Sequence, residues 1–285
     1  MGDVFQIDDF KAHSFPGNLY INTFKKHLKQ HSFIESLHRH DFYVLVLFTK
    51  GSGVHKIDFD AFEIKRGSLF LMQPGQIHSW ELSKDIEGYI VFYSQEIYNL
   101  HFGAKKIENY LFFQSSKNNP EIVLNPKEIE YIIPFFDLMM TEHETNNIYK
   151  KDKILNLLDC IHIEILSIYN HSNEHEVHVY NYKLKEFEIL LEKNYKLEKS
   201  PSFYANSMSI TLKHLNRISK TVLNKTVTEL IARRIILESK RILVEKKKTI
   251  AQIADELGYE DYSYFSKLFK KHAGITPKEF LKQIS

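Results

Sequence analysis

Three histidines, His38, His40 and His78, offer the sharpest chemistry in the sequence. On an extended strand, residues two apart point to one face, so His38 and His40 present two imidazoles side by side. Imidazole ligates transition ions of the zinc class, and a third histidine against that face would complete a small metal centre. The competing reading is a polar lining to a cavity. A second group suits nucleic acid. Lys213, His214, Asn216 and Arg217 lie within five positions, and Tyr262, Ser263, Ser266 and Lys267 lie within six further on. Arg and Lys match guanine O6 and N7, and Asn matches adenine N6 and N7. Lys220, Lys270 and Lys271 suit phosphate contacts, which position a duplex without specifying its sequence. No nucleophile–base arrangement and no phosphate-cradling glycine loop is visible, so no catalytic residue and no cofactor is expected.

The elements that must carry the second group are helices. Thr249 and Gln252 have the spacing of a capping box, and Ile250, Ile253, Ala254 and Leu257 form one apolar stripe after it. Gly258 stops that helix where a positive φ is wanted. Asp261 suits the cap of a second helix with Phe265, Leu268 and Phe269 inward, which leaves Tyr262, Ser263, Ser266, Lys267, Lys270 and Lys271 outward. Two short helices about a tight glycine turn make a helix-turn-helix, whose second helix meets base edges. A plain helical hairpin with a solvated basic face is the alternative.

The pattern occurs twice. Lys183 to Tyr195 reads as an opening helix, Ser200 and Pro201 start a short helix, and Leu212 to Leu223 is the next. At an offset of fifty, Leu215 matches Phe265, Ile218 matches Leu268, Lys220 matches Lys270, Thr226 matches Thr276 and Leu230 matches Phe280. Asn224 stands for Gly274, which suits a left-handed turn, and Val227 stands for Pro277. Thr228 to Val244 connects the units as a helix of roughly 25 Å, suited to successive major grooves about 34 Å apart. Arg233, Arg234, Lys240 and Arg241 are its basic residues.

Earlier in the chain the period changes to two. Leu19 to Phe24, Phe42 to Thr49, His55 to Phe59, Phe62 to Ile64, Ser68 to Met72, Ser79 to Leu82 and Gly88 to Tyr93 read as short strands between Gly and Pro turns. Such spacing means a sandwich or barrel, and a small barrel holds one small ligand. His38, His40, Phe42, Val44, His78 and Trp80 are the candidate lining. Glu128 to Met140 and Ile148 to Tyr169 read as helices, the second with Ile154, Leu158, Ile161, Ile165 and Ile168 at heptad spacing. Residues 171–182 are polar, lack either period and read as a linker.

These residues resemble the AraC/XylS-type transcription regulators. The likeness rests on Ile253-Ala254, Leu257 to Tyr259, Tyr264 to Ser266, Phe269-Lys270 and Gly274 to Pro277 with Phe280. It rests more loosely on His38 to Tyr43, Gly51 to Gly53, Gly67 to Leu71 and Pro74 to His78, which resemble a cupin-like sensor. The resemblance implies an α+β two-domain chain. Residues 1–170 would be a sensor and dimerisation domain with a cupin-like β-barrel over 19–95 and accessory helices over 127–169, and residues 183–285 would be an all-α domain of two helix-turn-helix units. It implies a dimer through those accessory helices. A metal-binding cupin adds a Glu three or four residues past its second histidine, where this chain has Val44 and Leu45. No metal is therefore expected.

Composition agrees. From Lys183 onward there are 21 Lys and Arg against 12 Asp and Glu, while the rest of the chain has 17 against 24, so only one end is built for a polyanion. The one cysteine, Cys160, fits a reducing compartment. Met1 to Asp9 lacks a basic-then-apolar leader, and no apolar run approaches a membrane span, so a cytoplasmic protein is expected. The function expected is a sequence-specific DNA-binding regulator, an activator under a small-molecule effector, with RNA polymerase as a further partner. A ligand-independent DNA-binding dimer and a metal-dependent cupin enzyme are the alternatives.

Overall fold

The computed structural model describes residues 4–15, 19–31, 37–113, 119–171 and 178–283. The chain divides into two compact units, Gly2–Glu174 and His175–Ser285.

The first unit holds eleven strands among the described residues: β1 (Val4–Phe5), β2 (Ser14–Phe15), β3 (Leu19–Thr23), β4 (His38–His40), β5 (Tyr43–Lys50), β6 (Gly53–Ile57), β7 (Asp60–Ile64), β8 (Ser68–Met72), β9 (Ile77–Leu82), β10 (Glu87–Tyr93) and β11 (Glu121–Val123). They form a five-stranded sheet in the order β1-β4-β9-β6-β7 and a six-stranded sheet in the order β11-β8-β5-β10-β3-β2. All neighbours run antiparallel except β1 and β4.

The unbroken apolar run of β5 follows from its place in the larger sheet. Val44, Val46 and Phe48 enter the core between the sheets with Phe70, Met72, Ile90, Phe92 and Trp80. Tyr43, Leu45 and Leu47 point the other way with Leu69, Leu71, Val91 and Tyr93, into a core shared with helices. A strand buried on both faces has no reason to alternate.

Those helices are α3 (Pro126–Glu144) and α4 (Lys150–His171). Asn125 and Glu128 close a capping box on α3, with Pro126 in the first turn, where its missing N–H costs nothing. Ile154, Leu158, Ile161 and Ile165 of the heptad seam are fully buried, so that seam packs within the chain's own first unit. Asp159 ties α4 down by accepting from Tyr110 at 2.6 Å, from Lys105 at 2.5 Å and from Tyr98. Burial alone would raise its pKa, but these donors hold its carboxyl below the usual value.

Two helices lie where the sequence suggested none. Helix α1 (Phe24–Gln30) starts directly after β3 with Thr23 as its cap, and α2 (Gln95–Phe102) starts after β10 with Ser94 as its cap. Each is only two turns long, too short for a periodic stripe to stand out.

The second unit is helical: α5 (His178–Asn194), α6 (Pro201–Ser207), α7 (Leu212–Leu223), α8 (Val227–Glu245), α9 (Ile250–Glu256), α10 (Tyr262–Ala273) and α11 (Pro277–Gln283). Helix α5 begins five residues before Lys183, inside the stretch read as linker. Neither Gly nor Pro stands between His178 and Lys183 to stop it. Residues 172–177 of the expected linker lie outside the described residues. One core gathers all seven helices. The charged residues of α8 are not all solvated. Arg234 donates to Glu192 at 2.7 Å and Glu238 at 3.1 Å and lies 4.0 Å over the Tyr195 ring, and Arg241 is buried 3.5 Å from the same Glu238.

Candidate nucleic-acid interface and sensor interior

Helix α7 begins at Thr211, whose hydroxyl accepts from His214 N–H at 3.2 Å. Leu215 and Ile218 anchor its inner face, which leaves Lys213, Arg217 and Lys220 exposed and His214 and Asn216 half-buried. The Arg217 guanidinium donates to His214 Nδ1 at 2.8 Å. Lys213, His214, Asn216, Arg217 and Lys220, with Thr221, Thr226 and Thr228, line a concave surface of about 810 Å³. The sequence did not mark these threonines as contacts, since Thr226 and Thr228 belong to the start of α8 and Thr221 follows the residues suited to base edges.

Helix α10 repeats the design. Asp261 caps it by accepting from Ser263 N–H at 2.7 Å, and Phe265 and Phe269 fix its inner face. Tyr262, Ser263, Lys267 and Lys270 are exposed, and Ser266 is half-buried. Gly258 has φ +74°, and a Cβ there would stand 2.4 Å from the Lys196 carbonyl, so only glycine fits this turn. The first helix-turn-helix makes its turn with Ser209 at φ 54° and one residue fewer, so the offset of fifty applies to the second helices and forty-nine to the first. Asn224 and Gly274 both close their helices in the left-handed region. Tyr264, exposed beside Tyr259, adds an aromatic ring to the outer face of α10.

The first unit's histidines lie deep. His38 on β4 pairs with His78 on β9, with ring centroids 4.3 Å apart. His40 Nε2 lies 2.7 Å from His78 Nε2, and His78 Nδ1 lies 3.0 Å from His55 Nε2 on β6. Burial, then the neighbouring imidazoles, holds His40, His55 and His78 well below the usual histidine pKa, so all three are neutral. They sit within the packed interior, where the sequence suggested a mouth or pocket lining. Phe42, Val44 and Trp80 belong to the same core, and Phe10 fills space beside His40, Phe42 and Phe92. His55 was missed because only the pairing of β6 beside β9 brings it to His78; its signal was the alternation of β6.

The candidate ligand nitrogens of His38, His40 and His78 lie within 4.8 Å of one another. A transition ion fits them poorly. His78 is bonded to another imidazole through each ring nitrogen, and fully buried Val44 supplies hydrocarbon where a cupin centre takes a carboxylate. Neutral tautomers satisfy both inter-ring contacts without an ion: His40 Nε2–H donates to His78 Nε2, and His78 Nδ1–H donates to His55 Nε2.

A two-sheet barrel with a polar centre, followed by a helical unit carrying two capped helix-turn-helix motifs, defines a two-domain DNA-binding regulator. Residues 18–133 match the AraC-like ligand binding domain, and residues 204–283 match a helix-turn-helix domain. The chain belongs to the AraC-type family of transcription regulators. It is 22% identical over 246 residues to the HTH-type transcriptional activator RhaR of Mannheimia succiniciproducens, covering 86% of each protein. With the activator RhaS of the same organism it shares 24% over 243 residues, covering 85% of this chain and 87% of that one. Among solved structures, unsaturated fatty acid bound ToxT from Vibrio cholerae is 14% identical with a TM-score of 0.44, over 93% of this chain and 95% of that one. No helix of the described residues is long and apolar enough to cross a membrane.

Proposed function

We propose that this regulator grips one duplex with both helix-turn-helix units and responds to a small molecule held in the first unit. The observation that carries the reading is the matched exposure of Arg217 and Lys267 at equivalent places on two helices capped and buried alike. In this reading Lys213, Arg217, Tyr262, Ser263, Ser266 and Lys267 meet base edges, and His214 and Asn216 lie among them. Lys220 and Lys270 take phosphates. The effector site comprises His38, His40, Phe42, Val44, His78 and Trp80. Support comes from Trp80 Nε1 and His40 Nδ1, which are buried with no hydrogen-bond partner among the described residues. An effector acts only by its differential affinity for two states of the chain.

A homodimer through α3 and α4 accompanies this reading. Tyr131 and Leu138, seven positions apart on α3, and Ile163 on α4 are exposed, although the α4 heptad seam is spent internally. The chain works in the cytoplasm as an activator that contacts RNA polymerase, and no catalytic step is assigned to it. Thermal-shift screening of the full chain against small metabolites tests the sensing half. A compound that raises the melting temperature and also changes duplex affinity supports it. Compounds that do neither favour a ligand-independent regulator.

A further inference from the structure

Asn216 has the chemistry of an adenine reader, which needs its amide oxygen to accept from N6 while its nitrogen donates to N7. That oxygen is already engaged. Val227 N–H donates to Asn216 Oδ1 at 3.0 Å. Val227 is the first residue of α8 and is fully buried, and its N–H is one of the four that a helix start leaves without an internal partner. The cap residue Thr226 does not serve it, since its hydroxyl accepts from Glu229 N–H.

The second helix-turn-helix shows why the contact exists. Its last helix opens with the same capping box, Thr276 with Glu279, at the same offset from its recognition helix. There the position equivalent to Val227 is Pro277, which has no N–H, and the position equivalent to Asn216 is Ser266. Where the buried N–H is present an amide carbonyl meets it; where the N–H is missing, the amide is missing too.

We propose that Asn216 is a positioning residue. It ties the middle of the first recognition helix to the first turn of α8, and so sets how Lys213 and Arg217 are presented, instead of reading adenine. This rests on the DNA-binding reading of α7, although the Asn216–Val227 contact exists without DNA.

The test is a cycle of four full-length chains: the parent, Asn216→Ser, Val227→Pro and the double substitution. Each is measured by amide hydrogen exchange and by affinity for a duplex that the parent selects from a random library. Asn216→Ser should speed exchange at Val227 and weaken the selected duplex, each about five- to tenfold, while the preferred base at every position stays the same. In the Val227→Pro background the same substitution should change affinity less than about twofold, because no donor remains to be satisfied. Relaxed preference at one base, equal in both backgrounds, would show direct readout and overturn the proposal. Faster exchange with unchanged affinity would overturn it as well, leaving a purely structural contact. If the parent enriches no sequence, the DNA-binding reading fails and takes the positioning role with it, while protected exchange at Val227 shows that the contact itself was correct.

Discussion

The guanidinium of Arg217 rests on the imidazole of His214 one turn earlier on α7, with Nη2 2.8 Å from Nδ1. The histidine acts as acceptor and holds a long, exposed side chain against the outer face of the helix. A guanidinium fixed in this way loses less freedom when it pairs with guanine. Arg217→Ala should weaken binding to a selected operator by about 1–3 kcal/mol and relax one base position. His214→Ala should weaken binding less and leave the preferred base unchanged. Competition assays with single-base operator variants check both. Unaltered selectivity in Arg217→Ala contradicts the assignment.

Lys270 belongs to a different class of contact. It lies exposed in the last turn of α10, beyond the residues suited to base edges. Lys270→Ala should weaken specific and random duplexes alike and lower the salt slope of binding by about one unit. Titrations over a range of potassium chloride concentrations measure that slope. Loss confined to the specific duplex contradicts the phosphate role.

Much of the helical unit was legible in the sequence because its signals are local. The Thr249–Gln252 capping box, the glycine turn at Gly258 and the Asp261 cap each depend on residues within four positions, and each is present. The longer strands were legible from apolar runs and turns for the same reason, while β1, β2 and β11, each two or three residues long, were not. What escaped depends on distant partners. Arg234 and Arg241 look like a solvated face of α8 until Glu192, from another helix, and Glu238 surround them. Asn216 looks like a base reader until the start of α8 folds back onto it. His55 joins the histidine chain only because β6 pairs beside β9.

The histidine chain yields its own prediction. His78→Ala removes the shared partner of His40 and His55, leaving two buried ring nitrogens unsatisfied at about 1–3 kcal/mol each, with a cavity cost added. The melting temperature should drop sharply, and chelators should leave that of the parent unchanged. Elemental analysis of chain purified without an affinity tag should find no stoichiometric transition metal. One bound ion per chain contradicts the hydrogen-bonded reading.

His162 makes the first unit sensitive to acid. Its Nε2 lies 2.9 Å from the Tyr93 hydroxyl, and burial pushes its pKa down to about 3. The unfolded chain, near the ordinary value of 6.5, takes up this proton first as pH falls. The stability involved is complete above that value and is lost as pH falls toward 3, at about 1.4 kcal/mol per pH unit. Between pH 6.5 and 5 the parent should therefore lose about 2 kcal/mol more than His162→Gln, which keeps a polar group beside Tyr93. Urea unfolding at each pH checks this. Parallel losses in the two chains contradict it.

The central claim is that two equivalent helices read one duplex together, and selection from random duplexes by the parent, Arg217→Ala and Lys267→Ala tests it most directly. The account predicts a parent motif of two segments about one helical turn apart, with each substitution relaxing a base in a different segment. A motif confined to one segment and indifferent to one of the two substitutions would contradict it.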